Sequence, residues 1–219
     1  RSAYAVPESV QKKGVRRYGF HGLSYAWIAH RLQHDHPALA KSRVVAAHLG
    51  NGASLCALQE GKSVDTTMGM TALDGLPMGT RCGSIDAGAI IYMQRELGLN
   101  VDALEQLLYN ESGLKGLSGI SNDVKTLSES DDSRAAAALD YFVWKCTQHI
   151  AAMAATLGGM DALVFTGGIG ENAADIRTRI IEGLTFMPAF ETLIIPANEE
   201  RSMAGSIHAQ FYKETRDEQ

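Results

Sequence analysis

Between residues 44 and 68 the chain alternates apolar runs of strand length with two tight-turn signals, and no other stretch narrows the fold as much. Residues 44–49 (VVAAHL) are nearly all apolar, Asn51-Gly52 follows, and residues 54–58 resume a strand. Asn-Gly between apolar runs is a strong hairpin signal, because both residues tolerate the left-handed backbone that a tight turn demands. Glu60-Gly61-Lys62 reads as a second turn leading into residues 63–68. Three antiparallel strands joined by tight turns are therefore predicted here.

The flanking segments change period. Ser24 is expected to cap a helix whose stripe of Ala26, Ile28, Ala29 and Leu32 runs to the break at Pro37. Asp86 is expected to cap a helix reaching Leu97, residues 101–109 read as another, and Asn122-Asp123 as the cap of residues 124–127. Residues 113–119 read as a Gly/Ser loop. Residues 133–157 carry the longest helical pattern, closed by Gly158-Gly159. A buried strand over 162–165, a Gly-rich turn over 166–172, a helix over about 173–184, a strand over 193–195 and a helix over 199–213 complete the chain. Strands alternating with helices after a hairpin block predict an α/β layer fold. Residues 1–14 carry no strong fold signal and read as an N-terminal tail or the remnant of a connection to something longer.

With 219 residues the chain suffices for one large domain or two small ones and a sizeable core. A formal net charge of -5 argues against broad nucleic-acid binding. No apolar run is long enough to span a bilayer. The three cysteines, Cys56, Cys82 and Cys146, form no CxxC pair and suit a reducing, cytoplasmic setting.

Several segments could carry chemistry, each with a plainer alternative. His48, Leu49, Gly50, Asn51 and Gly52 form either a phosphate-binding turn or an ordinary hairpin turn; the chain has no GxxxxGK[ST]. Residues 166–172 (TGGIGEN) place glycines between a strand and a helix, which suits either anion binding or a tight connection. Residues 69–83 are a long aperiodic loop, a kind that is usually functional, and Arg81 sits in it among small residues. His21 follows a basic, aromatic stretch and reads as a donor to developing charge or as a satisfied structural group. Glu199 and Glu200 read as helix-start acids or a magnesium site, and Asp123 and Lys125 have a similar ambiguity.

Taken in order, RRYGFHG (16–22), AHLGNGAS (47–54), DTTMGMTALDGLPMGTRCG (65–83), GLSGISNDVK (116–125), FTGGIGEN (165–172) and PANEE (196–200) resemble the acetate kinase family. That family lies in the larger group of sugar kinases, the Hsp70 ATPase domain and actin. The resemblance implies a ribonuclease H-like, actin-like ATPase domain with a mixed sheet and flanking helices. It also implies reversible, Mg2+-dependent transfer of the ATP γ-phosphoryl to acetate, giving acetyl phosphate and ADP. His21 and Arg81 match the residues that stabilise the phosphoryl in transit. His48 to Gly52 match the phosphate-binding turn. Asp123, Val124 and Lys125, with Gly168, Ile169, Gly170, Glu171 and Asn172, match segments around the adenosine, and Glu199 matches a magnesium-associated glutamate. Leu23, Tyr25 and Ser84 stand where Thr, His and Asp are common. Family members are about twice this length, so residues 15–219 correspond to the C-terminal, nucleotide-binding domain, with the 199–213 helix returning to a preceding domain. A homodimer through this domain is implied. A short-chain acyl substrate such as propionate is one alternative; a nucleotide-binding fragment without turnover is the other.

Overall fold

The structure is a computed structural model that describes residues 2–198. In chain order its elements are α1 (Glu8–Gln11), α2 (Gly22–Asp35), a 3-10 turn (Leu39–Lys41), β1 (Arg43–Leu49), β2 (Ala53–Gln59), β3 (Lys62–Thr66), α3 (Ala87–Arg95), α4 (Val101–Asn110), α5 (Gly113–Ser118), α6 (Val124–Ser128), α7 (Ser133–Leu157), β4 (Ala162–Thr166), α8 (Gly167–Asn172), α9 (Ala174–Glu182) and β5 (Glu191–Ile194).

The five strands form one mixed sheet in the order β3-β2-β1-β4-β5. The β1–β2 and β2–β3 pairs are antiparallel, as the hairpin signals predict, while β4 and β5 add in parallel on the other side of β1. Alternate residues divide between two faces. Val45, Ala47, Leu49, Leu163 and Phe165 face α7 and the larger core, whereas Val44, Ala46, Val164 and Leu58 face α2 through Trp27, Ile28 and Leu32. Helices on both faces explain why β1 and β4 read as continuous apolar runs. Phe142 and Phe165 are fully buried against one another's layer; truncating such a side chain costs about 3–5 kcal/mol.

At their outer ends β1 and β4 are pinned. Arg43 Nε and Nη2 donate to Asp161 Oδ2 and Oδ1 at 3.0 and 2.5 Å, and the Arg43 backbone N–H donates to the same carboxylate at 2.9 Å. Those donors hold the Asp161 carboxyl down at about 2.

Several expectations need correcting. Ser24 does not cap α2; His21 occupies the cap, in left-handed backbone at φ 59° and without a capping side-chain bond. Residues 113–119 are not a loop, because α5 occupies 113–118 with Gly119 as its C-cap, and its first residues bond the loop before Arg81. The Gly-rich segment 166–172 is not an open turn: α8 starts directly after β4, and a break at Ala173 separates it from α9. α3 stops at Arg95, β3 at Thr66, and the last strand is Glu191–Ile194. The predicted caps at Asp86 and Asp123 hold. The expected helix at 199–213 lies outside the described residues. Among the described residues no helix is long and apolar enough to cross a membrane.

The β2–β3 connection is a two-residue loop, Glu60-Gly61, with φ of 52° and 72°. Two positive φ values in a hairpin suit Asn-Gly better than Glu-Gly. Glu60→Asn is expected to raise stability by about 1 kcal/mol. The check is a higher urea midpoint at unchanged slope.

Candidate active site

Because β1 and β4 run parallel, their carboxyl ends lie abreast, with His48 opposite Thr166. The hairpin turn leaves one end and α8 leaves the other, so two glycine segments meet. In α/β sheets this is where ligands bind. The turn contains three residues, Gly50, Asn51 and Gly52, between the paired Leu49 and Ala53, and Gly50 N–H donates to Gly52 O at 3.1 Å. Neither glycine has positive φ. What their lack of a side chain leaves is open space beside the ring and guanidinium nitrogens. A Cβ on Gly50 would lie 3.9 Å from both Gly168 N and His48 Nε2. A Cβ on Gly52 would lie 3.6 Å from Arg81 Nη1 and 3.7 Å from His21 Nε2. Across the gap, Gly167 has φ 79° and a Cβ there would meet Leu49 O at 2.7 Å. The backbone thus approaches from two sides around a space flanked by two imidazoles and a guanidinium.

The histidines are fixed from beneath. His21 and His48 stack at 4.2 Å with an 18° interplanar angle. Ser54 Oγ lies 2.8 Å from His21 Nδ1, and Ser24 Oγ 2.9 Å from His48 Nδ1. Burial pushes the His48 pKa below the ordinary histidine value, with Glu171 opposing. His48 is therefore neutral near pH 7, a hydrogen-bonding ring and not a second cation.

Arg81 is positioned by backbone. Met78 N–H donates to Arg81 O at 3.0 Å, Gly79 N–H to Asn51 O at 3.1 Å, and Leu114 N–H at the start of α5 to Met78 O at 2.9 Å. Arg81 Nη1 donates to Ala72 O at 3.0 Å. Ser84 closes the loop by donating to Asp74 Oδ1 at 2.8 Å. That bond accounts for a serine in this chain, since an aspartate at 84 would face the Asp74 carboxylate.

Beyond the turn, a cleft of about 430 Å³ is lined by Gly50, Asn51, Asp123, Val124, Lys125, Gly168, Ile169 and Asn172, together with Ser128, Glu129, Ala173 and Asp175. Three distant sequence segments therefore share one cavity. Asn122 Nδ2 donates to Asn51 Oδ1 at 3.0 Å and ties its wall to the hairpin. Asp123 Oδ2 caps α6 by accepting from Thr126 N and Oγ1, which holds its carboxyl below the usual range.

Some expected residues do not line the cleft. Leu49 is fully buried, so only its backbone reaches the turn. Gly170 is buried against Ala47 O and Phe165. Glu171 Oε1 accepts from Gly167 N and Ala197 N, each at 2.9 Å, and so staples the C-terminal segment to the start of α8. Glu199 lies outside the described residues. Sequence reasoning read Ser24 and Asn122 only as helix caps and gave Ser54 and Gly79 no role of their own, although the last three lie inside the quoted motifs.

Two half-buried histidines set a pH dependence. Burial lowers the pKa of both His48 and His149, with Lys145 adding to the effect at His149. Below the ordinary value of 6.5 the unfolded chain binds protons that the folded chain resists. Stability is expected to be full above 6.5 and to fall as pH drops through the depressed values. His149→Gln should flatten that slope, measured by urea unfolding at pH values on either side of 6.5.

Comparison with known proteins identifies the family. The model of the acetokinase family matches residues 1–204. An acetate kinase of Rhodopseudomonas palustris is 51% identical over 209 residues, covering 95% of this chain and 52% of that protein. The acetate kinase crystal structure from Porphyromonas gingivalis superposes with a TM-score of 0.87 at 32% identity, covering 94% of this chain and 58% of that one. A propionate kinase from Francisella tularensis gives 0.85 at 37% identity, over 93% of this chain and 58% of that one. The chain spans about half the length of the curated relatives it matches. With this coverage and the shared mixed-sheet fold, the chain belongs to the acetokinase family.

Proposed function

We propose that this chain is the nucleotide- and phosphoryl-binding half of an enzyme that moves the γ-phosphoryl of ATP reversibly to acetate, giving acetyl phosphate and ADP. One observation carries the reading. His21 Nε2 and Arg81 Nη1 converge on Gly52, at the mouth of the cleft that Asn51, Asp123 and Gly168 line. The nucleoside would occupy the cleft and its phosphates would extend toward the glycine turn. The spaces that a Cβ on Gly50 or Gly52 would fill suit a phosphate approaching backbone. Phosphoryl transfer is catalysed mainly by positioning and charge stabilisation. Arg81 offers a planar fork to equatorial oxygens, and His21 a ring donor. Mg2+, when bound, would neutralise phosphate charge. Glu199 is its proposed partner, and the Trp27 Nε1 to Pro196 O bond of 2.9 Å, with the Glu171 staple, anchors the backbone leading to it. Among the described residues no group of three or more His, Cys, Asp or Glu side chains forms a metal site.

Transfer also needs an opposing wall for the acyl acceptor. ATP binding without acetyl phosphate formation is therefore expected of these residues alone, measured by calorimetry and a coupled assay. Turnover by the purified chain would overturn that. In a complete protein containing this chain, Arg81→Ala should lower kcat/KM by about 10²–10³-fold. Unchanged turnover would remove Arg81 from the chemistry. Gly79→Ala should weaken ATP binding, because its Cβ would fall 2.0 Å from Asn51 Oδ1 and displace the turn. A propionate substrate is the second reading, prompted by the fold and 37% identity shared with a propionate kinase. The ratio of kcat/KM for acetate and propionate decides between them. A cytoplasmic homodimer also belongs to this proposal.

A further inference from the structure

Under the glycine turn lies a buried polar chain that the transfer reaction, as described, does not use. Tyr25 is in the first turn of α2 and Ser54 in β2, directly opposite His48, and they are 5% and 0% exposed. The Tyr25 phenol is hydrogen-bonded to Ser54 Oγ, and Ser54 Oγ lies 2.8 Å from His21 Nδ1. We propose that Tyr25 is a positioning residue: through Ser54 it holds His21 in the tautomer whose Nε2 carries the proton and faces the phosphoryl site.

The direction of the chain follows from satisfying its protons. Burial pushes the Tyr25 phenol pKa well above the ordinary tyrosine value, so the phenol keeps its proton at any working pH. Among the described residues Ser54 Oγ is the phenol's hydrogen-bond partner. If Tyr25 donates to Ser54, the proton of the fully buried serine hydroxyl has His21 Nδ1 as its acceptor among the described residues. Nδ1 then accepts, and Nε2 bears the hydrogen. In the reverse direction His21 Nδ1–H would donate to Ser54 and Ser54 to Tyr25. That would bury the phenol proton without an acceptor, which is the costly arrangement. Nε2 is the atom nearest the Gly52 side of the ring, beside Arg81. A protonated Nε2 there donates to an anionic oxygen, whereas a bare one would repel it. The stacked His48 ring, with Ser24 at its own Nδ1, keeps His21 from turning.

The inference rests on reading His21 as a phosphoryl-facing group, but its test does not depend on turnover. In the 15N-labelled chain, long-range proton–nitrogen correlations of the His21 ring should show a bare Nδ1 and a protonated Nε2. Tyr25→Phe should move both nitrogens toward mixed-tautomer values and leave His48 unchanged. A protonated Nδ1 in the unmodified chain overturns the proposal, even if Tyr25→Phe fails to fold. So does a folded Tyr25→Phe with both nitrogens unmoved. In a complete protein, Tyr25→Phe should lower kcat about tenfold with KM for ATP unchanged. Loss of ATP binding by the unmodified chain, with these tautomers intact, overturns the functional reading and not the positioning.

Discussion

Close backbone approach between the end of β1 and the start of α8 is the constraint on which the rest of the site depends. Gly167 lies so near Leu49 that a methyl group would meet the Leu49 carbonyl at 2.7 Å. That proximity exists because β1 and β4 are parallel neighbours in register from Val44–Ala162 to His48–Thr166. Arg43 and Asp161 lock the register at the opposite ends of the same strands. With both ends fixed, the turn and the helix present their peptide groups to a common space. At Gly167 nothing larger than glycine fits this approach.

Around this frame, each charged or ring side chain is held by groups that do no chemistry themselves. Arg81 is carried on a segment whose carbonyls at Met78, Gly79 and Thr80 accept from Leu114, Lys115 and Ser112. A long aperiodic loop thereby becomes as well determined as a strand. Such a segment can aim a flexible side chain without the loss of precision that loops normally carry. Asn51 serves a similar purpose at the junction, bonded to Gly79 through its backbone and to Asn122 through its side chain.

The parts legible in sequence were those whose signal is local. Apolar alternation and turn residues located all three strands of the hairpin block, and Asp86, Asp123 and Gly158 marked helix ends correctly. The motif order brought His21, Arg81, Asp123 and Gly168 into one reading. The rest depends on contacts far apart in the chain. α5 forms within a Gly/Ser-rich stretch because its first turn docks on residues 78–80, a tertiary cause that local propensity does not record. Ser24 looks like a cap, yet its hydroxyl is committed to His48, 24 residues away. Glu171 sits inside a recognisable motif, but its carboxylate serves the chain at Ala197 instead of the cleft.

His21 shows what this arrangement demands of the fold. A non-glycine residue at φ 59° costs about 1–2 kcal/mol relative to ordinary helical or extended backbone. Glycine would adopt the same geometry with less strain, and it would remove the imidazole. A lineage selected for thermal robustness alone would therefore drift away from histidine at this position. With the ring in the proposed phosphoryl-facing role, position 21 is a place where robustness and activity pull in opposite directions.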